Sequence, residues 1–102
     1  MELTVHGHHI PVSDSLATHA ETRFQAALGQ YDGWVTNVVL RLEDVNGPKG
    51  GVDKLCHATI HLKAGGTVVL EDTSNDLYGA INVVADKAKQ TVGRKIAKVR
   101  EK

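Results

Sequence analysis

Apolar and polar residues alternate from the start of the chain. Leu3 and Val5 fall on one side of an extended backbone, with Thr4, His6 and His8 on the other, which predicts a strand over 2–9 closed by Pro11. The period then changes to that of a helix. Leu16, Ala20, Phe24, Ala27, Leu28 and Tyr31 predict an amphipathic helix over roughly 14–29, with Ser13 as N-cap, Asp14 in the first turn and Gly29 or Gly33 at its end. Trp34 to Val45 reads as a second strand, with Val38, Leu40 and Leu42 on one face and Asn37, Val39, Arg41 and Glu43 on the other. The segment NGPKGG (46–51) is expected to be a mobile loop, too long for a two-residue hairpin. A third strand, about 53–63, turns Cys56, Ala58, Ile60 and Leu62 inward and His57, Thr59, His61 and Lys63 outward. Gly65-Gly66 predicts a tight hairpin into a fourth strand, Thr67–Asp72, with Val68 and Leu70 inward. Thr73 or Ser74 is then expected to cap a long helix with Asp76 in its first turn. Its stripe is Leu77, Ile81, Val84, Ala88, Val92, Ile96 and Val99. Gly79 and Gly93 interrupt this helix, each costing about 1 kcal/mol relative to Ala.

The element order is therefore β-α-β-β-β-α, an α+β fold. The first helix links two strands, which makes them parallel with a right-handed crossover, and the last three strands form an antiparallel meander. Each strand has one apolar side, so both helices must pack on one face of a four-stranded mixed sheet. The other face is left open and carries His6, His8, Arg41, His57, His61 and Lys63.

At 102 residues the chain has room for a single domain, 1–102. Aromatics are 4% of the residues, so the core must be aliphatic. One cysteine excludes an internal disulfide and a Cys-cluster zinc site. No apolar run is long enough to cross a bilayer, and the opening MELTVHGHHIPV lacks a basic segment followed by an apolar one, so a cytoplasmic protein is expected. The zero net charge conceals an asymmetry. Residues 1–86 hold eleven acids and five bases, a net of −6, whereas residues 87–102 hold seven bases and one acid, a net of +6. Cations at a helix C-terminus also complement its dipole, and polyanion binding is the competing explanation.

Catalytic constellations are missing from the pattern. On a strand, His57 and His61 lie about 13 Å apart at ~3.3 Å per residue, too far to share an ion, while His6 and His8 at about 6.6 Å suit at most a weak surface site. Cys56 and His57 are strand neighbours on opposite faces and cannot form a nucleophilic pair. GPKGG lacks the spacing of a phosphate-binding loop and opens no helix. No enzyme activity, metal, cofactor or small-molecule substrate is expected. The remaining feature is the last helix, where Lys87, Arg94, Lys95 and Lys98 flank the apolar stripe, interrupted at Thr91. A basic flank of this kind suits phosphate backbones and recognises shape more than base sequence.

One stretch has a family likeness. Asp76-Leu77-Tyr78-Gly79-Ala80-Ile81-Asn82, followed by Asp86-Lys87, resembles the D-[LM]-Y-x-A-I-[DN]-x-x-x-D-K signature of the ribosome hibernation-promoting factor and ribosome-associated inhibitor family, also labelled sigma-factor modulation proteins. Val5–Gly7, Ser15-Leu16, Arg23-Phe24 and Trp34–Leu42 resemble its upstream elements. The resemblance implies a fold similar to a double-stranded-RNA-binding module. It also implies a factor that binds the small ribosomal subunit and its ribosomal RNA in the messenger and transfer RNA channel, silencing idle ribosomes under stress. Lys87, Arg94 and Lys95 fall where the family has basic residues on its second helix, and Arg23 matches one on its first. With Lys89 and Lys98 these make the expected RNA-binding set. A chain ending at Lys102 implies no C-terminal dimerisation domain and a monomer when free. Two further readings stay open: a protein-binding regulator using the bipolar charge, and a metal-responsive protein using the histidine face.

Overall fold

The structure, a computed structural model, describes residues 1–45 and 53–100. The expected NGPKGG loop lies outside the described residues. Six principal elements follow in the order β1 (Glu2–His8), α1 (Asp14–Leu28), β2 (Val35–Asp44), β3 (Lys54–Leu62), β4 (Thr67–Ser74) and α2 (Leu77–Arg100). The strands form one mixed sheet in spatial order β1-β2-β3-β4, with β1 parallel to β2 and the rest antiparallel, as the alternation and the connecting helix require.

The register stacks the apolar positions in rows. Leu3, Val38, Ile60 and Val68 make one row across the four strands, and Val5, Leu40, Ala58 and Leu70 the next. Onto these rows fall Leu16, Ala20, Phe24 and Leu28 of α1 and Ile81, Val84, Ala88, Val92 and Ile96 of α2, all buried. Phe24 is the one fully buried aromatic in this core. The open face has rows of its own, notably His6, Arg41, His57 and Glu71. Lys63 leaves this face, because β3 ends at Leu62 and Lys63 enters the turn.

Four boundaries differ from expectation, each for a local reason. Strand β1 stops at His8, since His9 takes a left-handed conformation (φ 64°) incompatible with continued pairing. Ser13 does cap α1, its Oγ accepting from the Leu16 N–H at 3.1 Å, but Gly29 stays right-handed and the chain tightens into one 3-10 turn, Gly29–Tyr31. Strand β4 runs on to Ser74 because Leu55 and Lys54 remain available to pair with Thr73 and Ser74, so neither of these caps α2. Asp76 does so instead: its carboxylate accepts from the Gly79 N–H at 2.8 Å and its carbonyl from the Ala80 N–H at 3.1 Å. The β3–β4 connection spans residues 63–66, longer than a two-residue hairpin, and closes through Gly65 and Gly66 at φ 93° and 92°.

Cys56 has no exposed surface, and burial pushes its thiol up to about 12. A thiol reagent at pH 8 should therefore label native protein only at the rate of unfolding. Cys56→Ala should fold and lose about 1 kcal/mol in urea titrations.

Candidate nucleic-acid interface

The two helices run side by side through a polar seam. Ser15 Oγ and Tyr78 Oη lie 3.0 Å apart, His19 Nε2 and Asn82 Oδ1 2.8 Å, and Arg23 Nη2 donates to Asp86 Oδ1 at 3.3 Å. Each pair is separated by 63 residues, and each step along either helix is four residues. A constant difference means parallel helices, and a step of four keeps the partners on one face of each. The last contact in this direction is Tyr31 against Gly93, where an added Cβ would meet the Tyr31 hydroxyl at 2.7 Å. Close approach therefore explains a glycine that weakens the helix by itself. Gly79 has the same explanation, with Ser74 Oγ 2.6 Å from its would-be Cβ.

This seam changes the standing of the basic residues. Arg23 is half-exposed and tied to Asp86. Lys87 Nζ lies 2.6 Å from Asp72 Oδ2 on β4. That bond from Lys87, followed by the Thr73 N–H donating at 2.8 Å, holds the Asp72 carboxyl below its ordinary value. Lys89 is turned by about 200° from Lys87, at 100° per residue, and stands exposed beside Tyr31 and Gly93. Arg94, Lys95 and Lys98 are exposed and make no ion pair among the described residues. The six residues expected to form one RNA-binding set are thus divided. Two are bound to carboxylates, one lies on the α1 flank, and three gather toward the C-terminal end of α2.

Arg100 joins that end and was not singled out by its spacing; its guanidinium lies 6.0 Å from the centroid of Trp34. The described part of α2 from Lys87 onward carries six bases and no acid. Its apolar stripe reaches the core as far as Ile96, while Val99 is half-exposed. The basic end therefore reaches past the buried contact.

The open sheet face is less basic than its histidines and arginine suggest. Arg41 Nε sits 3.5 Å from Glu43 Oε2, and His8 Nε2 3.9 Å from Glu43 Oε1. Glu71 closes the row of His6, Arg41 and His57. No group of three or more His, Cys, Asp or Glu side chains among the described residues is placed to hold a metal ion. At the base of the undescribed loop, Lys54 Nζ bridges Asp53 Oδ1 at 2.9 Å and Asp44 Oδ2 at 3.2 Å. The ammonium is held above its ordinary value, chiefly by the buried Asp53. That lysine is committed to the fold.

The arrangement has known counterparts. The family model described as sigma 54 modulation protein / S30EA ribosomal protein matches residues 3–100. A ribosome hibernation promotion factor of Picosynechococcus sp. is 27% identical over 103 residues, covering 100% of this chain and 50% of that protein. The chain thus spans about half the length of the curated relative it matches. Among solved structures, a ribosomal subunit interface protein from Coxiella burnetii superposes with a TM-score of 0.82 at 18% identity, over 95% of this chain and 99% of that one. The N-terminal domain of Thermus thermophilus Protein Y gives 0.75 at 22% identity, over 92% and 98%. Both share the fold.

Two outcomes test the seam and the sheet contact. Asn82→Ala should lower stability by about 1 kcal/mol, since it leaves the part-buried His19 without its partner. Asp72→Asn should cost about 0.5 kcal/mol at neutral pH, the scale of a partly exposed pair. The sign follows from the lowered carboxyl: its stabilisation is complete above the unfolded-chain value near ~3.9 and is lost as pH falls through the lower folded value. Urea melts of wild type and Asp72→Asn should therefore converge as pH drops below about 4.

Proposed function

The chain belongs to the family described as sigma 54 modulation protein / S30EA ribosomal protein, and from that membership we propose that it is a non-catalytic ribosome-hibernation factor. It binds the small subunit through ribosomal RNA and occupies the messenger and transfer RNA channel of idle ribosomes under stress, in the cytoplasm, without a cofactor. The observation that carries this reading is the acid-free run of bases on α2 beyond Lys87, set on a body whose first 86 residues have a net charge of −6.

A molecule so polarised approaches a polyanion in one orientation. The negative body is repelled and the helix end is drawn in, so the charge separation steers the encounter as well as supplying contacts. Arg94, Lys95 and Lys98 then replace condensed counterions on phosphates, which gives affinity without base readout. A rigid helix projecting past a compact sheet also reads the spacing between phosphate ribbons, which is how folded RNA is recognised by shape. Relatives and neighbours named as hibernation and subunit-interface proteins agree with this function.

Reversing Arg94, Lys95 and Lys98 to Glu should abolish co-sedimentation with small subunits while circular dichroism stays native, because these side chains flank the buried stripe. The corresponding triple alanine variant should reduce the slope of log affinity against log salt by about 2–3, at roughly 0.7–0.9 per phosphate contact. Reversing Arg41 and Lys63, on the sheet face and its turn, should do less. Greater damage from the sheet pair would move the footprint to that face, and failure of the wild-type protein to co-sediment would reject ribosome binding.

A further inference from the structure

Between the last turns of α2 and the β3–β4 turn lies a hollow of about 350 Å³. Trp34, Leu62, Ile96 and Val99 form its apolar lining, together with the turn residues Ala64 and Gly65, and Lys95 and Lys98 are its two charged members. Among the described residues no carboxylate lines it. Trp34 is the sole tryptophan in a chain with few aromatics, and it is only partly buried. Ring, aliphatic wall and two ammonium groups within one hollow match what a single-stranded nucleotide presents: a π-face, a sugar edge and flanking phosphates. The Arg100 guanidinium lies 6.0 Å from the indole centroid, so a planar cationic group already sits near this ring. The volume falls in the range of small-ligand sites.

Resting on the ribosome-binding function proposed above, we infer that this hollow holds one unpaired nucleotide of the bound RNA, its base stacked on Trp34 and its flanking phosphates on Lys95 and Lys98. The footprint on α2 then has two parts. Arg94 with the lysines tracks backbone phosphates, and Trp34 captures a base that has left its helix. The indole, not the charge, favours RNA over an acidic peptide, because a base stacks on the ring whereas peptide carboxylates would engage only the lysines.

Trp34 reports on the site directly. Full-length protein is titrated with an adenosine hexamer RNA carrying a 3′ fluorophore; anisotropy follows binding and tryptophan emission follows stacking. The hexamer should quench Trp34 in step with anisotropy. A hexamer of abasic ribose phosphates should bind about five- to a hundredfold more weakly and leave emission unchanged, the range expected for one stacked base. Trp34→Leu, checked by circular dichroism, should bind the two oligomers alike. No binding of the adenosine hexamer, binding without quenching, or equal affinity for the abasic strand overturns the nucleotide site. Quenching by adenosine monophosphate at equal concentration, or by an acidic peptide of equal charge at lower concentration, also overturns it by naming a different occupant. Small-subunit co-sedimentation is scored separately. Retention of the wild type without quenching rejects the stacked nucleotide and leaves ribosome binding standing, whereas loss of wild-type retention rejects ribosome binding whatever the fluorescence shows.

Discussion

Everything in this molecule depends on a sheet that is apolar on one side only. Leu3, Val38, Ile60 and Val68 share a row, as do Val5, Leu40, Ala58 and Leu70, and water must be kept from both. Two helices on the same side do this, which forces them to lie next to each other. Adjacent helices in turn need a compatible seam, and Ser15, His19 and Arg23 meet Tyr78, Asn82 and Asp86 there. Each of these side chains finds a partner on the other helix, which sets the register of the pair, although Arg23 Nε is buried without one.

The family signature acquires a physical meaning from this geometry. Asp76 caps α2, Tyr78, Asn82 and Asp86 face α1, and Lys87 reaches Asp72 on β4. The most specific stretch of the sequence is therefore occupied with building the helix pair. The exposed bases Arg94, Lys95, Lys98 and Arg100 come later, around and beyond Ile96, the last buried position of α2. At about 1.5 Å per residue this 24-residue helix is roughly 36 Å long, more than the strands beneath it can cover. The molecule is correspondingly elongated, 49 Å along its greatest extent against 22 Å and 19 Å across.

The same division explains which charges are paired within the fold. A cation near the core edge finds a carboxylate on the neighbouring element, as Arg23 and Lys87 do, and Lys54 is clamped between Asp44 and Asp53. At the end of α2 the neighbours are Trp34, Leu62 and the β3–β4 turn, and among the described residues no carboxylate pairs with Lys98 or Arg100; the Arg100 guanidinium lies over Trp34 instead.

The sequence by itself determined the element order, the faces of the strands up to Leu62 in β3, the stripe of α2 as far as Ile96 and the burial of Cys56, because periods of two and of about 3.6 residues are local properties written into consecutive positions. It also determined where the charge lies. Only the tertiary structure decided how much of that charge is free. Arg23 and Asp86, or Lys87 and Asp72, meet through the packing of distant elements, and no spacing in the chain announces such pairs. Tertiary pairing likewise carried β4 through Thr73 and Ser74 and passed the capping role to Asp76, since the ladder with Leu55 and Lys54 outlasts the local preference of those residues for a helix start. Trp34 shows the same limit: one aromatic at the head of a strand says little, until the end of a helix 60 residues later is folded over it and leaves a hollow between them.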